Sequence, residues 1–293
     1  MKLIRPFEIS PFCRTIWINR QAKETWSDII PQISQFVQEL EVLSVTRGHR
    51  RCAWQTIAED TLINMERKWA EMGLVTVLVR YVGNWKGFAH KHIDPKPGEK
   101  RNACVIVARD VKDAMRFRDA HDIGDNFAQG EELGYPACCS RFFCDTWKHG
   151  FYDPIWQAAL NSEIIESETT PKLNRLRIRG HPYSNPAMRY IGLRVSFHIC
   201  HSFSCPDTIK IADQRMGLAR EINPNLAKLL EALLRMPQAW DCLNGIAIIR
   251  TPIFYVITSS VPCEKRHIVE IEGDFIPKEA EPGIDFPFNR IKR

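Results

Sequence analysis

Two short phrases constrain this chain more than any other feature: GYPACC at 134–139 and HICHSFSCP at 198–206. Each puts thiols beside a proline suited to opening a helix, because the N–H that proline lacks has no partner in a first helical turn. Pro136 therefore predicts a helix start with Cys138 and Cys139 in its first turn. Pro206 predicts another, with Cys205 at the cap and Cys200 in the loop leading in. The spare N–H groups and positive dipole end of a helix start stabilise anions, and the thiolate is the form of cysteine that ligates metal. Satisfying both phrases at once means bringing segments about sixty residues apart to one point.

The chain carries ten cysteines, and half of them lie in these clusters, counting Cys144. The N-terminal stretch MKLIRPFEISPFCRTIW has no apolar run of signal-peptide length, and no segment approaches the ~20 apolar residues of a membrane span. A cytoplasmic location and no membrane are therefore expected. In a reducing compartment clustered thiols point to metal or redox chemistry rather than to structural disulfides. Cys13, Cys52, Cys104, Cys242 and Cys263 stand apart and read as small buried hydrophobes.

The expected metal ligands are Cys138, Cys139, Cys200 and Cys205, with His201 as a further one if the ion is zinc. Thiolate coordination indicates zinc or iron–sulfur, not magnesium or calcium. Adjacent cysteine side chains diverge around one small tetrahedral ion. That favours an iron–sulfur cluster of the 4Fe-4S type, with zinc as the alternative. Ser202 and Ser204 are placed to donate hydrogen bonds to cluster sulfurs, and Cys144 is a secondary candidate. His198 is assigned an acid/base or supporting role, and Arg189 and Arg194 would hold an anionic substrate. His90, His92 and Asp94 form a weaker metal-like phrase in a polar loop.

Hydrophobic patterning predicts an α/β or α+β fold: a small, mostly parallel sheet with helices in the N-terminal part, cysteine-bearing helices in the centre, and a β-rich C-terminal segment. Helices are expected over 26–42, where Pro31 threatens a break, and over 54–72, 110–121, 206–221 and 225–236. Buried strands are expected at 74–82 and 103–108, and short strands in 245–276. Residues 161–190 read as an exposed polar crossing, and 189–200 as a strand entering the second cysteine loop. The expected division is 1–128 and 129–293, with one continuous domain as the other possibility. At 293 residues and 44% hydrophobic, the chain has ample material for either.

The net charge of +5 is mild, but basic residues gather without any acid between Lys172 and Arg189. That stretch is a candidate nucleic-acid contact, although a solvated basic face fits it better. Three functions follow in order. The first is an iron–sulfur enzyme of redox, sulfur or radical-type chemistry on an anionic small molecule or a modified nucleotide or peptide. The second is a zinc-stabilised nucleic-acid-binding module, and the third a metal-free thiol oxidoreductase. Nothing in the sequence marks a phosphate-binding loop, a dinucleotide fingerprint or a nucleophile elbow.

LGYPACCSRFF, followed by NPAMRYIGLRVSFHICHSFSC, resembles an uncharacterised prokaryotic family with an L-G-Y-P-x-C-C-x-x-F phrase and a later H-x-x-C-S-x-x-C-type phrase. Here His201 stands where that pattern has serine, and the cysteine spacing is longer by one. The resemblance implies that the two phrases build one site and carries no activity with it.

Overall fold

The computed structural model describes residues 9–85, 93–148 and 153–280. Along the chain run β1 (Cys13–Trp17), α1 (Arg20–Trp26), α2 (Ile29–Thr46), β2 (Cys52–Ala58), α3 (Leu62–Glu71), β3 (Val75–Gly83), β4 (Arg101–Ala108), α4 (Val111–Asp122), α5 (Asn126–Glu132) and α6 (Ala137–Phe143). They are followed by α7 (Pro154–Leu160), β5 (Glu163–Thr169), β6 (Leu173–Arg179), α8 (Pro206–Ile222), α9 (Pro224–Leu234), β7 (Gln238–Leu243), β8 (Ile246–Arg250), β9 (Phe254–Ser259) and β10 (Arg266–Ile271). Among the described residues no helix is long and apolar enough to cross a membrane. Packing gathers the described residues into two compact units, one from 9–37, 146–148 and 153–280, the other from 38–85 and 93–145.

The first unit is organised by a seven-stranded sheet in the order β1-β9-β8-β7-β10-β6-β5. Only β10 and β6 pair in parallel, and every other pairing is antiparallel. This is a large mixed sheet, not the small, mostly parallel one expected. Most of the expected crossing at 161–190 is the β5–β6 hairpin, which spans 163–179. In LNRLRIR the apolar residues alternate with arginine, so Leu176 and Ile178 are buried on one face of β6. On the other face Arg175 pairs with Glu270 at 2.6 Å, and Arg177 with Glu166 at 3.2 Å. Arg179 pairs with Glu163 and, at 3.3 Å, with Glu272. These charges suggested an exposed loop, whereas they neutralise one another across three strands.

Asp153 locks α7 onto this sheet. Its carboxylate caps the helix by accepting from the N–H groups of Ile155 and Trp156, and it accepts from Trp240 Nε1 at 2.9 Å. Residues 187–191 form a 3-10 turn, not the expected strand. Gly192 ends it in the left-handed region, at φ 79°. A Cβ at Gly192 would stand 1.9 Å from Ser34 Oγ, so the backbone crosses α2 where only glycine fits. Gly192→Ala is expected to cost at least about 2 kcal/mol, read as a lower urea midpoint, and to cost less in a Ser34→Gly background.

The second unit holds the three-stranded sheet β2-β4-β3. Both pairings are antiparallel, which corrects the parallel arrangement expected for 74–82 and 103–108. A parallel pair needs a long crossover, usually helical, and the described parts of the connection, 84–85 and 93–100, contain no helix. Alternation along β4 sorts the core. Ala103, Val105 and Val107 pack with Val42, Val45 and Trp69 on one face, and Ile106 and Ala108 with Ala114, Phe117 and Leu133 on the other. Residues 54–58 belong to β2 rather than to a helix, because Trp54, Thr56 and Ile57 suit a pleated surface and the helical spacing holds only from Leu62. Pro31 does not break α2, since it lies in its first turn.

Of the five solitary cysteines, Cys52, Cys104, Cys242 and Cys263 are buried and Cys13 is half-buried. Burial pushes the Cys52 thiol up to about 12. The folded state therefore keeps a proton that the unfolded chain releases near pH ~8.5. This contribution to stability is full below that pH and is lost as pH rises toward the folded value. The urea midpoint is expected to fall between about pH 8.5 and 10.5, and to fall less in Cys52→Ala.

Candidate metal centre

The LGYP phrase is a helix stop followed at once by a helix start. Gly134, at φ 67°, donates to Glu131 O and Tyr135 donates to Gly130 O, the paired bonds that close α5. Pro136 then caps α6 in extended conformation, one position earlier than expected, and Cys138 and Cys139 follow in the first turn. Two contacts fix this corner. The Arg50 guanidinium lies over the Tyr135 ring at 5.7 Å and bonds Glu41 at 2.9 Å inside the protein. A Cβ at Gly130 would stand 2.3 Å from Ser140 Oγ, so glycine there lets α5 and α6 approach. The two sulfurs of Cys138 and Cys139 converge to 4.0 Å, with Cys139 buried and Cys138 half-buried.

The second phrase folds as the sequence predicts at its end. Cys205 caps α8, Pro206 opens it, and the Thr208 N–H donates to Cys205 Sγ at 3.4 Å. An N–H donor at a helix start favours the anionic form of a cysteine, which is the form that ligates metal. The loop before it is tied down through Ser162, whose hydroxyl accepts from Phe203 N at 2.9 Å and lies 3.2 Å from Ser202 Oγ. Asn161 Nδ2 donates to the carbonyl of His201 at 3.0 Å. Ser202 and Ser204 hydrogen-bond each other, so their hydroxyls brace the loop rather than serve the sulfurs as expected.

Among the described residues, one group has donor atoms able to share an ion: Cys138, Cys139, His201 and Cys205, all within 4.8 Å of one another. Set against protein-family models, curated proteins and solved structures, the chain matches none. The chemistry of this group is therefore the guide to function. Four of the five expected ligands belong to it.

Cys200 does not belong to it. Its side chain turns inward, 3.5 Å from Ser196 Oγ, and burial pushes its thiol up to about 11 against hydrogen bonds from Ser196 and Thr208. Cys144 is half-buried at the start of a π-helical turn and also lies outside the group. His198 is buried with Nε2 2.8 Å from Thr208 Oγ1. Arg189 is half-buried and close enough for its charge to act on the Cys200 thiol. Arg194 is half-buried with its guanidinium 5.9 Å from the Phe197 ring. His90 and His92 lie outside the described residues, and Asp94 is exposed.

Two residues escaped the sequence reading. Thr208 is buried and touches Cys205, His198 and the Cys200 thiol. Arg215, also buried, donates to Val195 O at 3.1 Å and stacks over Phe197 at 4.2 Å, bracing the backbone that leads to His198. A signal for both existed: Thr208, Ala212, Arg215 and Ala219 follow a helical period that marks one buried stripe of α8.

Proposed function

We propose that Cys138, Cys139, His201 and Cys205 hold a single metal ion, zinc, in a Cys3His centre, and that the protein depends on this metal. The observation that carries the reading is the 4.8 Å spread of the four donor atoms. Ligands bound at about 2.0–2.3 Å to one tetrahedral ion lie ~3.8 Å apart, so donor atoms within 4.8 Å need draw in by no more than about 1 Å to share one. The 4.0 Å between the Cys138 and Cys139 sulfurs fits that edge. It also bears on the objection that neighbouring cysteines diverge, because the two sulfurs come to 4.0 Å although consecutive helical residues project about 100° apart. An iron–sulfur cage spreads its cysteines over separate iron atoms and takes thiolates in preference to imidazole. Three thiolates and one imidazole at short range suit zinc better.

His198 fits a positioning role in this reading, since the nitrogen facing Thr208 is occupied and the ring joins the loop to α8. Nucleic-acid binding through 172–189 draws little support. Arg175, Arg177 and Arg179 already face Glu163, Glu166, Glu270 and Glu272, so the strand offers phosphate no net positive field.

The second reading is an iron–sulfur enzyme of redox, sulfur or radical-type chemistry on an anionic substrate. The N–H bond from Thr208 to Cys205 Sγ favours it, because donors to sulfur tune cluster potential. Protein purified without oxygen separates the two. Metal analysis is expected to give one equivalent of zinc per chain and a spectrum without visible absorption. A brown protein holding iron and sulfide would establish the second reading, and a metal-free protein that takes up neither would remove both.

A further inference from the structure

A second pair of thiols meets in the seven-stranded sheet. Cys242 Sγ in β7 lies 3.3 Å from Cys263 Sγ, closer than the two sulfurs at the start of α6. No third cysteine, histidine or acidic ligand atom joins this pair at metal-binding range among the described residues. Cys263 sits in the irregular connection from β9 to β10, which Asn244 anchors by donating its backbone N–H to the Cys263 carbonyl at 3.1 Å. Cys242 is fixed in its strand and further held by contacts at 3.5 Å to Ser260 Oγ and 3.7 Å to Val261 O. One sulfur is therefore rigid while its partner rides on backbone that no strand ladder holds.

The sheet register also sets an imidazole on the strand beside Cys242. His267 of β10 stands directly opposite Cys242 of β7, on the same face, with its Nδ1 3.6 Å from the buried carboxylate of Asp153.

We propose that Cys242 and Cys263 are a redox-active dithiol that closes to a disulfide when hydrogen peroxide is the oxidant. Cys263 is 8% exposed against 0% for Cys242, so it meets peroxide first. Its sulfur attacks one peroxide oxygen, the O–O bond breaks, and the departing hydroxide leaves as water with the thiol proton. The product is a sulfenic acid at Cys263. Cys242 then attacks that sulfur, an S–S bond forms, the S–O bond breaks, and a second water leaves with the Cys242 proton. Two thiols have lost two electrons and one peroxide has gained them. A short movement of the 260–265 connection takes the sulfurs from 3.3 Å to the ~2.05 Å of a disulfide. The new bond would close a loop between residues 21 apart and pin that connection to β7.

The test exposes the full-length protein to hydrogen peroxide, alkylates remaining thiols under denaturing conditions, digests without reductant and weighs the peptides. Most of the Cys242 and Cys263 peptides are expected as one linked species, two hydrogens lighter than their sum and separated by reductant, while untreated protein yields both alkylated. In Cys242→Ser, Cys263 is expected to stop as a sulfenic acid trapped by dimedone. Recovery of both residues alkylated, under peroxide that has oxidised Cys138 or Cys205, would overturn the proposal. Wild-type Cys263 passing to sulfinic acid with Cys242 still alkylated would overturn it too.

Discussion

Cys205→Ser is expected to lower metal affinity at least about 100-fold. Structural zinc sites of this kind bind with roughly 12 kcal/mol, so the loss of one ligand in four removes on the order of 3 kcal/mol. The position gives a second reason to expect a large effect. Cys205 is buried, it caps a 17-residue helix, and its sulfur receives the Thr208 N–H. Serine can keep the cap, because its hydroxyl also accepts an N–H, so α8 should persist while the metal is lost. The contrast is Cys200→Ser. Cys200 lies outside the converging group, and its replacement should leave metal stoichiometry unchanged. Competition with a chromogenic chelator measures both variants. Equal loss from the two would return Cys200 to the ligand set, and no loss from Cys205→Ser would remove Cys205 from it.

Glu41→Ala is expected to cost about 3–5 kcal/mol. The Arg50 and Glu41 side chains are 1% and 6% exposed, and the guanidinium carries its charge at every accessible pH. Removing the carboxylate takes from that buried charge the anion 2.9 Å away. The cost is local to the corner that presents the first pair of thiols, because Arg50 also lies over Tyr135 and packs beside Gly134. Urea denaturation of metal-free protein measures the effect. In the double variant Glu41→Ala with Arg50→Met much of the loss should return, since an apolar side chain there needs no counter-charge. A double variant as unstable as Glu41→Ala would show that the pair acts through packing and not through charge.

What could be read from the sequence divides along physical lines. Pro206 and Cys205 were placed correctly because proline at a helix start and a polar cap are local rules with one outcome. The strands at 246–250, 254–259 and 266–271 were visible for a similar reason, as apolar β-branched runs between turns. Residues 163–179 were misread because the charges that pair β5, β6 and β10 find their partners only once the strands are side by side. Glu270 and Arg175 are 95 residues apart. Parallel pairing was the wrong inference for 75–108 because order of elements along a chain does not reveal strand direction. Within the site, His201 and Cys200 are neighbours with opposite fates. Which of them turns toward Cys205 and which toward Ser196 depends on the path of an irregular loop, set by Gly192, Ser162 and Arg215 together.

X-ray absorption at the edge of the bound metal, on anaerobically purified protein, addresses the proposed centre most directly. Three sulfurs at ~2.3 Å and one nitrogen at ~2.0 Å around a single ion are expected, with no second metal in range. The nitrogen should disappear in His201→Ala and one sulfur in Cys205→Ser. A metal–metal vector, or a shell made of oxygen and nitrogen alone, would contradict it.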